Sequence, residues 1–85
     1  MPTIRVRYFA GARAAAGLAQ EQVVLSDEAC SVADLVRVLR HHRGPDLSRV
    51  LPACSFLLNG VAVHDDSTVF ADQDELDVLP PFAGG

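Results

Sequence analysis

Lysine is absent from this chain of 85 residues, in which all seven basic residues are arginine and eleven residues are acidic. Lysine is normally among the commonest residues, and a compositional bias toward arginine and alanine is the simplest explanation for its absence. The formal net charge of -4 at pH 7 leaves no basic stripe that would bind a phosphate backbone. The composition therefore predicts no nucleic-acid partner.

Cysteine and long hydrophobic runs are also scarce. The two cysteines, Cys30 and Cys54, are too few for a disulfide framework, and no CxxC pair accompanies the three histidines, so no zinc spacing is present. We interpret both cysteines as reduced, small apolar side chains. No apolar run approaches the roughly 20 residues of a membrane helix, and the N-terminus lacks the layout of a signal peptide. These absences predict a soluble cytoplasmic protein with no membrane partner.

The residues that are present, 49% of them hydrophobic, suit one small globular domain. Residues 3–9, TIRVRYF, place Ile4, Val6 and Tyr8 on one face, which predicts a strand with one buried side. An Ala-rich segment follows and predicts a single helical turn. Residues 21–26 predict a second strand, antiparallel to the first because no long crossover separates the two.

The clearest helical pattern follows Ser31. Ser31 is a favourable N-cap residue, and Asp34, three positions later, gives the spacing of a capping box. Apolar residues at positions 32, 35, 36 and 39 repeat with helical periodicity. Gly44 and Pro45 are typical of a helix end, and the residues beyond them predict a connection with room for one helical turn.

Two further patterns complete the order of elements. Asn59-Gly60 between two apolar runs predicts a hairpin with a type I′ turn, since both residues tolerate positive φ angles. Residues 75–79 predict a last strand, which Pro80 and Pro81 end because proline cannot continue a ladder of hydrogen bonds.

This order predicts an α+β fold of the ubiquitin-like β-grasp type. Such a fold has a mixed sheet, one main helix across one face, and its first and last strands side by side at the centre. We expect a β-grasp domain over residues 1–79 and a flexible C-terminal Gly-Gly tail over residues 80–85.

Three stretches of sequence carry a family resemblance: RYFAGARAAAG near the start, LLNGVAV in the middle, and DQDELDVLPPFAGG at the end. With the intervening helix they cover nearly the whole chain. The sequence resembles the small, sulfur-carrying subunits of molybdopterin synthase, which are ThiS/MoaD-like β-grasp proteins. The resemblance implies a carrier subunit of a heterotetrameric sulfurtransferase rather than an enzyme on its own.

The resemblance also implies the chemistry of the terminal glycine. An E1-like, ATP-dependent adenylyltransferase converts the carboxylate of Gly85 to an acyl-adenylate, and a sulfur donor enzyme displaces AMP to give a thiocarboxylate. The large subunit of the synthase then passes the sulfur to a cyclic pyranopterin precursor. ATP is used by the activating enzyme, and no cofactor is bound by the carrier.

The composition of the tail suits this role. Gly84 and Gly85 leave the acyl carbon uncrowded and let the chain enter a narrow tunnel. Pro80 and Pro81 reduce the conformational entropy lost on docking, because they fix where the tail leaves the domain. Phe82, followed by Ala83, is a candidate anchor at the tunnel mouth. Because the chain has no lysine, an activated tail cannot acylate side-chain amines of its own copies.

Alternation along the strands points to a second surface. Phe9 shares a strand face with two arginines, and Leu79 shares one with Asp77. If the two strands are neighbours, this apolar pair lies on the sheet face opposite the helix and predicts a docking centre with a charged rim. Ala62 or Val63 of the hairpin would extend it. Arg13 matches an arginine of the family and is a candidate partner contact.

The acidic residues between positions 65 and 77 do not have the spacing of a calcium loop, and we predict no metal site. We interpret them as turn residues, with Asp74 or Glu75 capping backbone groups. No nucleophile lies near a histidine in the sequence. Three alternatives stay open: a sulfur carrier for thiamine thiazole, cysteine or tRNA thiolation, a ubiquitin-like protein modifier, and a β-grasp interaction module with an inert tail.

Overall fold

The computed structural model describes residues 1–26 and 31–80. The elements in chain order are β1 (Thr3–Tyr8), α1 (Ala10–Ala16), β2 (Gln20–Val24), α2 (Val32–His42), α3 (Pro45–Val50), a 3-10 turn (Leu51–Ala53), β3 (Ser55–Leu58), β4 (Val61–Ala62) and β5 (Glu75–Leu79). The predictions for Cys30, Pro81, Phe82, Ala83, Gly84 and Gly85 lie outside the described residues.

The five strands form one mixed sheet in the order β2-β1-β5-β3-β4. Strands β1 and β5 are parallel neighbours at its centre, whereas β1–β2, β3–β5 and β3–β4 are antiparallel. The predicted central pairing of the first and last strands and the antiparallel pairing of β1 with β2 are both confirmed. The fold is the predicted ubiquitin-like β-grasp.

The predicted capping box holds the start of α2. The Ser31 hydroxyl oxygen accepts a hydrogen bond from the backbone N–H of Asp34 at 3.2 Å, and the Asp34 carboxylate accepts one from the backbone N–H of Ser31 at 3.2 Å. These bonds satisfy two N–H groups that the helix itself leaves unpaired. Val32, Leu35 and Leu39 are buried, as the periodicity predicts.

The segment after α2 is more helical than predicted. α2 ends at His42, and Gly44 (φ 88°) separates it from α3, in which Pro45 occupies a first-turn position. Proline is favourable there because the N–H it lacks has no partner within the helix. The expected helical turn is present but is extended: α3 and the 3-10 turn follow one another and bury Leu47 and Leu51.

Two boundaries also differ from the sequence-based expectation. The Ala-rich segment forms the seven-residue helix α1 rather than a single turn, and Phe9 is its N-cap residue rather than the end of β1. Strand β2 spans Gln20–Val24 rather than residues 21–26. Both differences arise where turn residues meet an element, which is where propensity is least informative.

The core lies between the helices and one face of the sheet, which we call the inner face. The sheet contributes buried side chains from its two central strands, β1 and β5, and these form one cluster with buried residues of α1, α2, α3 and the 3-10 turn. The members from β1 and β5 are Ile4, Val6, Tyr8, Leu76 and Val78, each at most 2% exposed. No helix within residues 1–26 and 31–80 is long and apolar enough to cross a membrane.

Candidate functional site: the outer sheet face and the tail exit

The sheet face opposite the helices, here the outer face, follows directly from the strand register. Arg7 of β1 lies beside Asp77 of β5, Asp77 beside Leu57 of β3, and Leu57 beside Ala62 of β4. Because paired residues point to the same side of a sheet, these four side chains form one row across the outer face. The row runs from charged side chains at the sheet centre to apolar ones near the β4 edge.

The structure places Phe9 and Leu79 at the outer face, next to this row. Leu79 is half-buried and pairs with Ser55 of β3, and Phe9 is 37% exposed. Neither Leu79 nor Phe9 belongs to the core cluster. Together with Leu57 and Ala62 they make up the apolar end of the outer face. Val63, by contrast, packs against the core and does not extend this surface. That the apolar end binds a partner stays a prediction.

A network of ion pairs occupies the centre of the outer face. The Arg7 guanidinium donates to both oxygens of Asp77, with Nε 2.7 Å from Oδ1 and Nη2 2.9 Å from Oδ2. Glu75 lies 3.4 Å from Arg7 Nη2 and 3.7 Å from Arg5 Nη1. The hydrogen bonds from Arg7 to Asp77 raise the pKa of Arg7 above its usual value, against the opposing effect of burial. Two positive and two negative charges thus balance within one cluster.

Arg7 also contacts the apolar end. Its guanidinium carbon lies 5.5 Å from the centroid of the Phe9 ring, which is within the range of a cation–π contact. One arginine side chain therefore connects the buried carboxylate of Asp77 to the exposed ring of Phe9. The sequence indicated only that Arg7 and Phe9 share a strand face.

Leu79 and Pro80, the last residues that the structure describes, lie at the corner between β1 and α1. Strand β5 ends at Leu79, and the backbone N–H of Phe9 donates to the carbonyl of Val78 at 3.2 Å, so the corner lies beside the end of β5. A Cβ placed on Gly11 would lie 3.9 Å from the Cβ of Pro80, an ordinary contact distance. Ala10 adopts a φ of 47°, an unfavourable left-handed conformation for alanine that here turns the chain from β1 into α1.

Arg13 lies on the exposed side of α1. Within residues 1–26 and 31–80 its side chain makes no hydrogen bond or ion pair, in contrast to the other arginines. Those others are Arg5, Arg7, Arg37, Arg40, Arg43 and Arg49. A shallow depression formed by small residues of α1 and the following turn lies beside Arg13. Its guanidinium is thus available to an acidic group of a partner.

A buried polar network was not anticipated from the sequence. The Tyr8 hydroxyl donates to Oε2 of Glu21 at 2.6 Å, and Arg43 Nη2 lies 2.9 Å from Oε1 of the same carboxylate. Burial, reinforced by the hydrogen bond to Glu21, raises the pKa of Tyr8 far above its usual value. The alternation along β1 places Tyr8 on the buried face, and a buried hydroxyl requires a hydrogen-bond partner. This is the signal in the sequence that could have indicated the network.

The acidic residues of the last loop hold backbone groups. Asp72 accepts from the N–H of Thr3 at 2.7 Å, and Asp74 accepts from the N–H of Ala71 at 2.8 Å, which confirms the predicted capping role of Asp74. Asp65 accepts from the N–H of Ser67 at 2.9 Å. Among the residues described, no three histidine, cysteine or acidic side chains are grouped so as to hold a metal ion.

Cys54 has no arrangement that would activate a thiol. It is half-buried, its Sγ lies 3.4 Å from the carbonyl oxygen of Val50, and burial raises its pKa. A thiol with a raised pKa is a weak nucleophile at neutral pH. Cys54 is therefore a packing residue, as predicted.

Comparison with known proteins agrees with this geometry. A family model described as the ThiS family matches residues 6–85. A molybdopterin synthase sulfur carrier subunit from Chlamydomonas reinhardtii is 35% identical over 83 residues, which cover 96% of this chain and 98% of that protein.

Solved structures give the same fold. Small archaeal modifier protein 1 from Haloferax volcanii is 27% identical with a TM-score of 0.82, over 96% of this chain and 100% of that one. Subunit 1 in the complex of subunits 1 and 2 of the molybdopterin-converting factor from Helicobacter pylori is 22% identical with a TM-score of 0.73, over 98% and 99%. The family resemblance drawn from the sequence is confirmed.

Proposed function

The chain belongs to the ThiS family, and on that premise we propose that it is the sulfur carrier subunit of a cytoplasmic molybdopterin synthase. Its C-terminal Gly85 carries sulfur as a thiocarboxylate and delivers it to a cyclic pyranopterin precursor in molybdenum cofactor biosynthesis. The observation that supports this best is the position of the last strand, which ends at Leu79 immediately before residues 80–85. This strand, β5, is central in the sheet and ends beside the apolar end of the outer face.

The chemistry at Gly85 requires activation by a second protein. A carboxylate is a poor electrophile, because its negative charge and resonance oppose attack. An E1-like adenylyltransferase uses ATP to form the acyl-adenylate and releases pyrophosphate. Hydrosulfide, supplied by a sulfur donor enzyme, then attacks the acyl carbon and AMP leaves, which produces the thiocarboxylate. The carrier supplies the acyl group, and its partners supply the catalytic groups.

The large subunit docks on the outer face in this proposal. Phe9 and Leu79 provide the apolar contacts at the apolar end of that face. Pro80 and Pro81 would direct the tail away from it, and Arg13 would meet an acidic group of the partner. Residues 80–85, fully extended, reach roughly 20 Å at about 3.3–3.6 Å per residue. That length suits a tunnel whose mouth is next to the docked face, with Phe82 and Ala83 at the mouth and Gly84 and Gly85 inside.

The test of this function is the mass of the full chain after incubation with the adenylyltransferase, ATP and a sulfur donor. We expect one terminal oxygen to be replaced by sulfur, and we expect the product to form molybdopterin when the large subunit and pterin precursor are added. Deleting Gly85, or adding one residue after it, should abolish the mass change while leaving the folded domain intact. Normal thiocarboxylate formation on the truncated chain would contradict the proposal.

A second candidate function, protein modification, is favoured by one observation: the chain is 27% identical to small archaeal modifier protein 1. A modifier would join its terminal carbonyl to lysines of many target proteins. Denaturing electrophoresis of a tagged chain distinguishes the two roles. A single band of the free chain supports the carrier, and a ladder of adducts that disappears on deletion of Gly85 supports the modifier.

A further inference from the structure

Asp77 occupies an unusual position for a carboxylate. It lies on the outer face, which no helix of the described residues covers, yet it is only 6% exposed. Its Arg7 partner has a side chain that is 40% exposed and holds both carboxylate oxygens. The guanidinium therefore lies over Asp77 and separates it from solvent. Bidentate geometry of this kind uses the planar fork of arginine, which the single ammonium group of lysine cannot reproduce.

We propose that Arg7 is a positioning residue for docking, which pairs with Asp77 so that the large subunit can cover the outer face as a neutral surface. The inference rests on the proposed function, since it takes the outer face as the docking surface. It adds the kind of partner surface that fits: mainly apolar opposite Phe9 and Leu79, and without a counter-charge opposite Asp77.

The physical reason lies in the desolvation of charges. The cores of protein interfaces are depleted in charged residues, because a charge removed from water without a partner is costly. A fully paired cation and anion can be buried at nearly the same cost as apolar side chains of similar size. Arg5, Arg7, Glu75 and Asp77 sum to zero charge, so the centre of the outer face needs no compensating charge from outside.

The contacts of Arg7 also indicate one polar requirement of the partner. Its ion pairs and hydrogen bonds use Nε and Nη2. Within residues 1–26 and 31–80 the two N–H groups of Nη1 make no hydrogen bond, and they stay available to a partner. Burial of Arg7 would therefore place an oxygen acceptor of the partner, such as a backbone carbonyl, next to Nη1.

A double-mutant cycle on the full chain tests the inference, with dissociation constants for the large subunit measured by calorimetry. Arg7→Leu should weaken binding about tenfold or more, because it leaves Asp77 unpaired at the interface. Asp77→Ala should weaken it less, since the freed arginine can turn toward solvent. The double variant, which removes both charges, should bind within about threefold of the wild-type chain. Arg7→Lys should also bind more weakly than the wild-type chain, because lysine cannot hold both carboxylate oxygens of Asp77.

Arg49→Leu is the matched control, because it makes the same change in an arginine of α3, away from the outer face. Arg49 forms an ion pair with Asp46, and both side chains are 74% exposed. The control variant should leave binding unchanged. The pairing itself is visible by NMR without any partner: the Nε–H signal of Arg7 should persist at neutral pH, and it should be lost in Asp77→Asn.

The outcomes separate the two proposals. If the wild-type chain does not bind the large subunit, the proposed function fails and the inference fails with it. If the wild-type chain binds but the effects of Arg7→Leu and Asp77→Ala simply add in the double variant, only the inference is overturned. A melting temperature for each variant identifies any loss of binding that comes from unfolding, and Asp77→Asn then replaces an unfolded Asp77→Ala in the cycle.

Discussion

The two faces of the central strands differ in how deeply their side chains are buried. Along β5, Leu76 and Val78 point to the inner face and are fully buried, whereas Leu79, one residue later, points outward and is only half-buried. On the inner face apolar side chains of the sheet meet those of three helices. On the outer face the same strands present ion pairs and a few apolar groups that nothing in the described chain covers. The inner face accounts for the fold, and the outer face is the surface that we propose for docking.

The largest expected effect compares the two faces within one strand. Leu76→Ala should lower the free energy of unfolding by about 2–5 kcal/mol, because it removes a fully buried side chain and leaves a cavity. Leu79→Ala, the same change three residues away, should cost about 1 kcal/mol or less. Chemical denaturation measures both. Equal losses would show that the outer face contributes to the core, and the comparison would fail.

The second prediction tests the outer face by measuring the affinity of variants for the large subunit. Phe9→Asp and Leu79→Asp should each weaken binding of the large subunit by about 1–3 kcal/mol if these side chains anchor the interface. The melting temperature of the isolated domain should change little, since neither residue belongs to the core cluster. Titration calorimetry and thermal unfolding provide the two readouts. Unfolding caused by Phe9→Asp would contradict the assignment of the faces.

The third prediction concerns the Tyr8 hydroxyl, which lies on the inner face. Because the pKa of Tyr8 is raised in the folded state, its contribution to stability is complete below the usual tyrosine pKa of 10.0 and is lost as pH rises above that value. The free energy of unfolding should fall by as much as about 1.4 kcal/mol per pH unit in this range. Tyr8→Phe should remove this part of the slope. An unchanged slope between the two proteins would show that Tyr8 is not the responsible group.

Local patterns predicted the elements of this fold, and the central pairing followed from the order of those elements. The alternation of residues 3–9, the Ser31 cap and the Asn59-Gly60 turn each depend on neighbours within a few positions, so a single sequence contains the full signal. The extent of helix α3 was missed because Gly44 and Pro45 are typical of a helix end, and they also suit the start of the next helix.

The polar contacts of the site could not be predicted in the same way. Arg7 and Asp77 are 70 positions apart in sequence, and their contact depends on the register of β1 against β5. A shift of that register by one residue would place the two side chains on opposite faces. Alternation located Phe9 and Leu79 on one face, but it did not show that Asp77 would be buried beneath an arginine. The network of Tyr8, Glu21 and Arg43 likewise requires the packing of α2 against two strands.

The smallest expected effect separates stability from binding most sharply. Ser31→Ala should lower the free energy of unfolding by about 1 kcal/mol, because it removes the side-chain half of the capping box at the start of α2. Ser31→Asp, which keeps an acceptor at the N-cap, serves as the control and should retain most of the stability. The helix covers the inner face, so neither variant alters the side chains that meet a partner on the outer face. Binding of the large subunit should therefore be unchanged in both, at a temperature where each is fully folded. If Ser31→Ala weakens binding as much as it weakens folding, then the two faces are coupled through the sheet, and the outer face depends on the packing of α2.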